Sequence, residues 1–591
     1  YLVSGDVVVP AGITLRIGPG TSVFVEQDKR IVVRGRLLAE GSADKLIRMT
    51  RPPAASYNWG GIVFENATNQ SSLKYVEMAF LSKPAITLTN SSLLVEDSSW
   101  DAITATTIVT YDSSLIVRRS KFPAVAWTET VSGLGIPAGG QVIFEGNYFA
   151  APTGYADVID FTGGHRPGPI LQVLGNTFAG GGDDGLDLDG TDAHIEGNVF
   201  MHFHKNNDTS SESSAISTGS YNGETSSITV VRNVFFDNDY DIILKDWARL
   251  VAENNTFAGS KYGSLCFKEP LRPFENPPAS VLADGCIWWN PPVVMAYLDT
   301  NLVTTGAIEV SVIRSILPQS GPWSGAGNVS ANPRFADEQG DFHLLPGSPA
   351  CGTGPLGLDM GAYVPAGTRI VSEVAAETWR TDASFIIGGP GIVAYKYRVD
   401  GGPWSEERLV RQPVQVTGLA NGRHVVEVIG KNSAGVWEEE VRPAGSVAWT
   451  VNRLLRRIRI NEVLAQNNGV ASMYDRYPDL VELYNDSPDL CDLSGMSLTD
   501  DPIAPRKFVF PSGAVIAPGG YLVIAADSRS GDQGYHLGFA LDASGDGLYL
   551  YDRPENGGRL LDSVVFGFQI ADLLIGRLDD GNWGLTLPTF G

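Results

Sequence analysis

SSLKYVEMAF (residues 71–80), SSLLVEDSSW (91–100) and SSLIVRRSKF (113–122) repeat one pattern: two serines, a short apolar stretch and a closing aromatic residue. The pattern continues as GNYF, GNTF, GNVF, RNVF and NNTF, ending at Phe149, Phe178, Phe200, Phe235 and Phe257. From Phe80 onward the aromatic positions are separated by 20, 22, 27, 29, 22, 35 and 22 residues. A base period near 22 with occasional extra residues is that of a solenoid whose loops bulge from some coils. Apolar residues alternate with polar ones inside each unit, so the elements are strands. The reading is a right-handed parallel β-helix over residues 1–365, whose coils bury their apolar faces only by stacking. Asn147, Asn176, Asn198, Asn233 and Asn255 stand two residues before the aromatic. They are expected to stack at one corner, accept its left-handed turn and bond along the axis. The aromatics then form an internal column. Cys266 and Cys286 lie about one coil apart and are expected to face each other as a candidate disulfide, whereas Cys351 and Cys491 have no evident partner.

The whole chain has 591 residues and a formal net charge of −24. That length predicts several domains. Charged residues at 19% and hydrophobic ones at 43% are an ordinary globular balance, which excludes wholesale disorder. The 67 glycines and 35 prolines favour many turns and short strands. The acidic balance argues against nucleic acid as a partner, because phosphate binding needs clustered Lys and Arg. No run approaches the ~18 apolar residues of a membrane-spanning helix. Tyr1 already sits in a strand-like pattern, so the start reads as a mature or trimmed end, and the finish at LPTFG reads as one where more chain is expected.

Three stretches resemble known families. VPAGITLRIGPGTSVFV, RGRLLAEGS and NWGGI resemble the opening coils of secreted bacterial β-helix repeat proteins, and NPRFADEQGDFHLLPGSPACGTG with LDMGAY resembles their closing segment. Residues 368–452, with YKYRVDGGPWSEERL and GLANGRHVVEVIGKNSAG, resemble a fibronectin type III or immunoglobulin-like spacer. Residues 458–591 resemble a lamin-tail domain, an immunoglobulin-like sandwich, through IRINEVLAQN, DLVELYNDSP, DLSGMSLTDD, KFVFPSGAVIAPGGYLVIAAD and LGFALDASGDGLYLYD. Leu480 departs from that family, many of whose members carry Trp there. The fold class is therefore all-β: a parallel β-helix followed by two small sandwiches. The resemblances imply an extracellular or cell-surface location.

Candidate chemistry lies where the ladder is interrupted. YADVIDFTGGHRPGP (155–169), GGGDDGLDLDGTDAHIEGN (180–198), MHFHKNNDTSSESSAISTGS (201–220) and DYDIILKDW (239–247) concentrate carboxylates and histidines. Ile159, Leu186, Ile216, Ile243 and Leu265 are expected to point inward, which places Asp160, Asp187 and Ser217 in an outward column with Asp189 two residues further on. Adjacent coils lie ~4.8 Å apart. Carboxylates stacked at that distance repel, so one takes a proton, binds a cation or pairs with a base such as Lys245 or Lys268. A calcium ion on Asp184, Asp187 and Asp189 is one expectation. A transition metal on His202 and His204, two residues apart on one face, is another.

The same region resembles the polygalacturonase family, pectin hydrolases on this fold whose motif order is NTD, GDD, GHG and RIK. YAD ends at Asp157, GDD spans 182–184 and ILK ends at Lys245, so Asp157, Asp183, Asp184 and Lys245 match position by position. The family histidine position is Ser214 and its arginine position is Ile243, and His204 is the candidate stand-in for the histidine. The resemblance implies that Asp183 or Asp184 protonates the glycosidic oxygen while Asp157, with the other, activates water. A lyase variant takes the C5 proton with Lys245 or His204 beside calcium. Asp160, Asp187, His202 and Lys268 are the expected substrate contacts. The expected function is a polysaccharide-active hydrolase or lyase. The rival is a non-catalytic glycan-binding or structural surface protein, favoured by the repetitive architecture and the two appended sandwiches.

Overall fold

The computed structural model describes residues 1–205, 212–268, 279–318, 325–371, 374–378, 380–410, 412–452, 458–487, 490–529, 533–578 and 582–590. Each repeat folds as three short strands, because the apolar alternation runs for only two to eight residues before a turn residue interrupts it. Stacking these strands gives three parallel ladders of 12 strands each within Tyr1–Pro365, a parallel β-solenoid; Glu224–Thr225 adds one antiparallel strand to the second sheet, which then has 13. The first sheet runs from Leu2–Val3 to Ile287–Trp289, the second from Val7–Val9 to Met295–Ala296, and the third from Thr14–Ile17 to Ile308–Ile313.

The GN, RN and NN dipeptides mark the corner between the third and first sheets. The residue before each ladder Asn carries the left-handed turn, not the Asn itself: Gly146, Gly175, Gly197, Arg232 and Asn254 have φ of 63°, 62°, 69°, 56° and 51°. Glycine is the low-strain choice there. The freed asparagines then bond along the axis. Asn147 Nδ2 donates to Asn176 Oδ1 at 3.0 Å, Asn176 to Asn198 at 2.9 Å, Asn198 to Asn233 at 2.9 Å and Asn233 to Asn255 at 3.1 Å. Each Oδ1 also accepts the backbone N–H of the preceding rung. All five are buried, so the ladder satisfies polar groups that would each cost ~1–3 kcal/mol if orphaned.

The aromatic column sits inside the same corner. Trp100, Phe122, Phe149, Phe178, Phe200, Phe235 and Phe257 stack with centroids 4.4–5.2 Å apart, and Trp288 extends the stack. Phe80 is not a member, contrary to the sequence reading. Met78 pairs with Trp100, while Phe80 adopts φ 64° under the Arg51 guanidinium, 3.8 Å from its ring centroid.

The expected disulfide does not form. Cys266 and Cys286 are both free and buried. Cys286 occupies the ladder position above Asn255, whose Nδ2 lies 3.9 Å from its sulfur, whereas Cys266 belongs to the second-sheet strand Gly263–Phe267. A 20-residue interval joins two different walls here. Asp299 caps the short helix Thr300–Thr304, its carboxylate accepting from the Asn301 backbone N–H, and Leu302 and Val303 pack against the solenoid core at its end.

Ala366–Gly591 forms one compact unit of antiparallel sheets. Its first sandwich is centred on Ile392–Val399, Gly422–Asn432 and Gly445–Val451, with Tyr395 and Trp449 buried. Its second is built from Ile458–Leu464, Asp479–Asn485 and Tyr521–Ala526 on one side, and Ser497–Thr499, Asp546–Tyr551 and Leu560–Phe566 on the other. Leu480, at the family's Trp position, is buried against Leu464 and Leu574. The two sandwiches share an apolar cluster of Ala375, Tyr549, Tyr551, Leu560 and Val565. They also share a buried ionic network: Arg380 bonds Asp562 at 2.5 Å and Asp382 at 2.5 Å, and Arg577 reaches Asp562 at 3.3 Å.

Candidate functional site

Five neighbouring strands of the second sheet position the acidic residues: Ile159–Thr162, Leu186–Asp189, Ser214–Tyr221, Tyr240–Leu244 and Gly263–Phe267. The register pairs Ile159 with Leu186 and Asp160 with Asp187, then Leu186 with Ile216 and Asp187 with Ser217. Asp160, Asp187 and Ser217 therefore share the outward column, as the alternation of IDFT and LDLD requires.

The next strand corrects one assignment. Ile242, not Ile243, pairs with Ile216 and points inward, while Ile243 continues the outward column above Ser217, followed by Cys266. Ile243, Cys266, Tyr240 and Ala296 form an apolar cluster on that face. Tyr240–Leu244 is buried throughout, so hydrophobicity could not mark its inner face.

Burial governs the ionisation of the column. Asp187 is pushed up to about 8 by burial and then by the Asp184 charge, with Lys245 opposing. Its Oδ1 is buried without a hydrogen-bond partner among the described residues. Asp160 is pushed up to about 6 by burial, Glu129 and Asp189. Asp189 also rises, chiefly through burial. Its carboxylate occupies the space over Gly219, where a Cβ would collide with it. Burial disfavours the Lys245 charge, but Asp187, Asp184, Asp189 and Asp157 more than offset it, and the ammonium is held above its ordinary range.

Asp157, Asp183 and Asp184 gather at the corner leading into these strands, one oxygen of each within 4.8 Å of the others. Asp157 accepts from the Asp184 backbone N–H at 3.0 Å. Asp184 accepts from the Ser214 backbone N–H at 2.8 Å and from its hydroxyl at 2.7 Å. Ser214, at the position of the polygalacturonase histidine, thus caps Asp184. Asp183 and Asp184 are buried, and Asp157 is raised well above its ordinary value by burial and by Asp184, Asp187 and Asp183. Asp184 is raised by burial, against Lys245 and Ser214. The trio drawn together is thus Asp157, Asp183 and Asp184, rather than the calcium set Asp184, Asp187 and Asp189.

The remaining candidates lie apart in role. His202 and His204 follow the first-sheet strand Val199–Met201 and pair with Asp237 and Asp239. Lys268 is salt-bridged to Glu212. Residues 206–211, inside the histidine-bearing stretch, lie outside the described residues. Sequence reasoning passed over Asp237. Its signal was the 35-residue interval from Phe200 to Phe235, which also carries His202 onto Asp237 and His204 onto Asp239.

Residues 455–567 match the Lamin Tail Domain family. The lamin tail domain thus covers most of the second sandwich. A search of curated proteins finds no match. Three solved structures are similar in part. A DUF4876 family protein from Bacteroides thetaiotaomicron is 13% identical, over 37% of this chain and 89% of its own, with a TM-score of 0.15. The alginate lyase from a Paenibacillus species is 12% identical, over 48% and 99%, with a TM-score of 0.15. The enzymatically active domain of bacteriophage CBA120 tailspike protein 2 is 9% identical, over 94% and 78%, with a TM-score of 0.24. At such scores none of the three informs the site of this chain. No helix among the described residues is long and apolar enough to cross a membrane.

Proposed function

We propose that this protein is an extracellular polysaccharide-active enzyme working by acid–base chemistry on the outward column of the second solenoid sheet. The carrying observation is the register pair Asp160–Asp187, two half-buried carboxylates one rung apart and raised to different degrees. Carboxyls whose environments separate their ionisation divide into acid and base. Asp187, raised to about 8, is neutral at pH 7 and serves as the proton donor to a glycosidic oxygen. Asp160, raised to about 6, is largely ionised there and serves as the nucleophile or stabilising carboxylate. A rung of ~4.8 Å lies near the ~5–5.5 Å carboxyl separation of retaining hydrolases and below the ~6.5–9.5 Å of inverting ones.

Asp157 and Asp184 support this pair from behind, since both are occupied in capping backbone N–H groups. Lys245, held charged, orients an anionic or hydroxyl-rich sugar and is unsuited to act as the base of a lyase. The test is a screen of the purified protein on pectins, alginates, glycosaminoglycans, fucans and neutral glucans, with and without Ca²⁺. It follows reducing ends and ultraviolet absorbance of unsaturated uronates together. New reducing ends without absorbance support the hydrolase. Absorbance with them replaces it by a lyase. Binding without turnover on every glycan replaces it by the surface-scaffold reading.

A further inference from the structure

A second cluster of chemically competent groups stands outside the acidic column. Phe203 points into the solenoid, so His202 and His204 on either side of it point out. One coil later, Asp237 and Asp239 flank Asn238 in the same way, and Asn238 Oδ1 accepts from the Phe203 backbone N–H. His202 Nδ1 lies 2.8 Å from Asp237 Oδ2, and His204 Nε2 lies 3.4 Å from the same oxygen. One ligand atom from each of His202, His204 and Asp237 falls within 4.8 Å of the others.

The other nitrogen of His204 is held from behind. His204 Nδ1 is 2.9 Å from Asp239 Oδ1. Asp239 is buried, accepts from the Lys205 backbone N–H at 3.0 Å and lies 3.3 Å from the Lys261 ammonium, so it is fixed in place behind the His204 ring. With Nδ1 held on Asp239, Nε2 of His204 is turned toward Asp237 and His202, so that one ligand atom of each of the three residues converges on a common point.

We infer that His202, His204 and Asp237 form a binding site for a first-row divalent transition-metal ion of the zinc type, with Asp239 as the positioning residue for His204. A tetrahedral zinc with bonds of ~2.0–2.1 Å sets its ligand atoms ~3.3–3.4 Å apart; the separations to Asp237 are 2.8 and 3.4 Å, and all three ligand atoms lie within 4.8 Å of one another. A carboxylate behind a ligating histidine is the usual orienting arrangement. Imidazole ligands select transition metals over Mg²⁺ and Ca²⁺. His202 and Asp237 also line a cleft of about 490 Å³ with Trp289, Asn290, Glu338 and Gln339, which leaves room beside them for water or a small anionic or hydroxylated ligand. The site is independent of the acidic column and of the hydrolase reading.

The test is titration of the full chain, stripped by chelator, with Zn²⁺ by calorimetry and with Co²⁺ by visible absorption. One equivalent of Zn²⁺ is expected to bind, with Co²⁺ giving the d–d bands of a low-coordinate site and Ca²⁺ failing to compete. His202→Ala, His204→Ala and Asp237→Ala are each expected to weaken binding at least tenfold, and Asp239→Asn by about 10–100-fold. The histidines and Asp237 are at least partly exposed, so their variants should melt as the wild type does without metal. No zinc uptake by the wild type, or uptake unchanged in the His202→Ala/His204→Ala double variant, would overturn the inference.

Discussion

Asp187 stands directly above Asp160 in the register of the second sheet, and both carboxyls titrate far from their ordinary range because the solenoid wall buries them. The pairing follows from strand periodicity alone. The separation of their ionisation follows from what surrounds each: Asp184 and Lys245 near the first, Glu129 and Asp189 near the second.

That separation has a consequence for stability. The Asp187 pKa is higher folded than unfolded, so the folded state holds a proton that the unfolded state has lost. Its contribution is fully present below pH ~4, declines as pH rises and is gone above about 8. Asp187→Asn keeps a neutral side chain at every pH. Melting curves recorded from pH 4 to 9 are expected to show a flatter profile for the variant, with the variant the more stable above pH 8. Parallel profiles would remove the assignment.

Gly219 leaves room for the Asp189 carboxylate. In Gly219→Ala the new methyl displaces it, an overpacking expected to cost ~1–3 kcal/mol. Denaturant unfolding of the solenoid measures this, and an unchanged midpoint would show that Asp189 is held elsewhere.

The asparagine ladder carries a similar load. Asn198→Ala orphans the Asn176 N–H and leaves Asn233 Oδ1 without its side-chain donor. A loss of ~1–3 kcal/mol is expected. Asn198→Ser, which keeps an acceptor as Ser120 does on its own rung, is expected to lose less.

This ladder and the aromatic column were the most legible parts of the sequence, because one residue type recurs at one position of each coil. Legibility failed where recurrence stopped. Ile242 and Ile243 are adjacent, equally apolar and both buried, so nothing local tells wall from interior. Phe80 sits at a plausible interval, yet a left-handed turn removes it from the column. The Cys266–Cys286 interval resembled a coil but joined different walls. Within the candidate site, Asp157, Asp184 and Lys245 were found as positions, while the prominence of Asp187 and Asp160 depends on burial. Asp239 is legible as a partner of His204 only once residues 35 apart are stacked.

The free cysteines can be counted. Cys266 and Cys286 are buried with thiols pushed up to about 12, whereas Cys351 is exposed and Cys491 is half-buried. A thiol reagent is expected to modify Cys351 rapidly, Cys491 slowly and the other two only after unfolding, without prior reduction. Fewer than four thiols in denaturant would indicate a disulfide.

In the second unit Asp562 accepts from Arg380, from Arg577 and from the Ile460 backbone N–H. Asp562→Ala leaves two buried guanidiniums with Asp382 as their one remaining carboxylate partner in this network and is expected to cost ~3–5 kcal/mol. Arg577→Met is expected to cost less, since Arg577 is already lowered to about 9 by burial and by Arg380. Thermal unfolding of the two variants checks the order.

Catalysis is proposed to rest on the Asp160–Asp187 pair. Its most direct test compares the wild type with Asp187→Asn on the polysaccharide panel at pH 7, reading reducing ends from equal amounts of folded protein. Cleavage by the wild type and a loss of at least ~100-fold in the variant are expected, the scale of a missing general acid. Equal cleavage by both proteins, or none by the wild type, would contradict it.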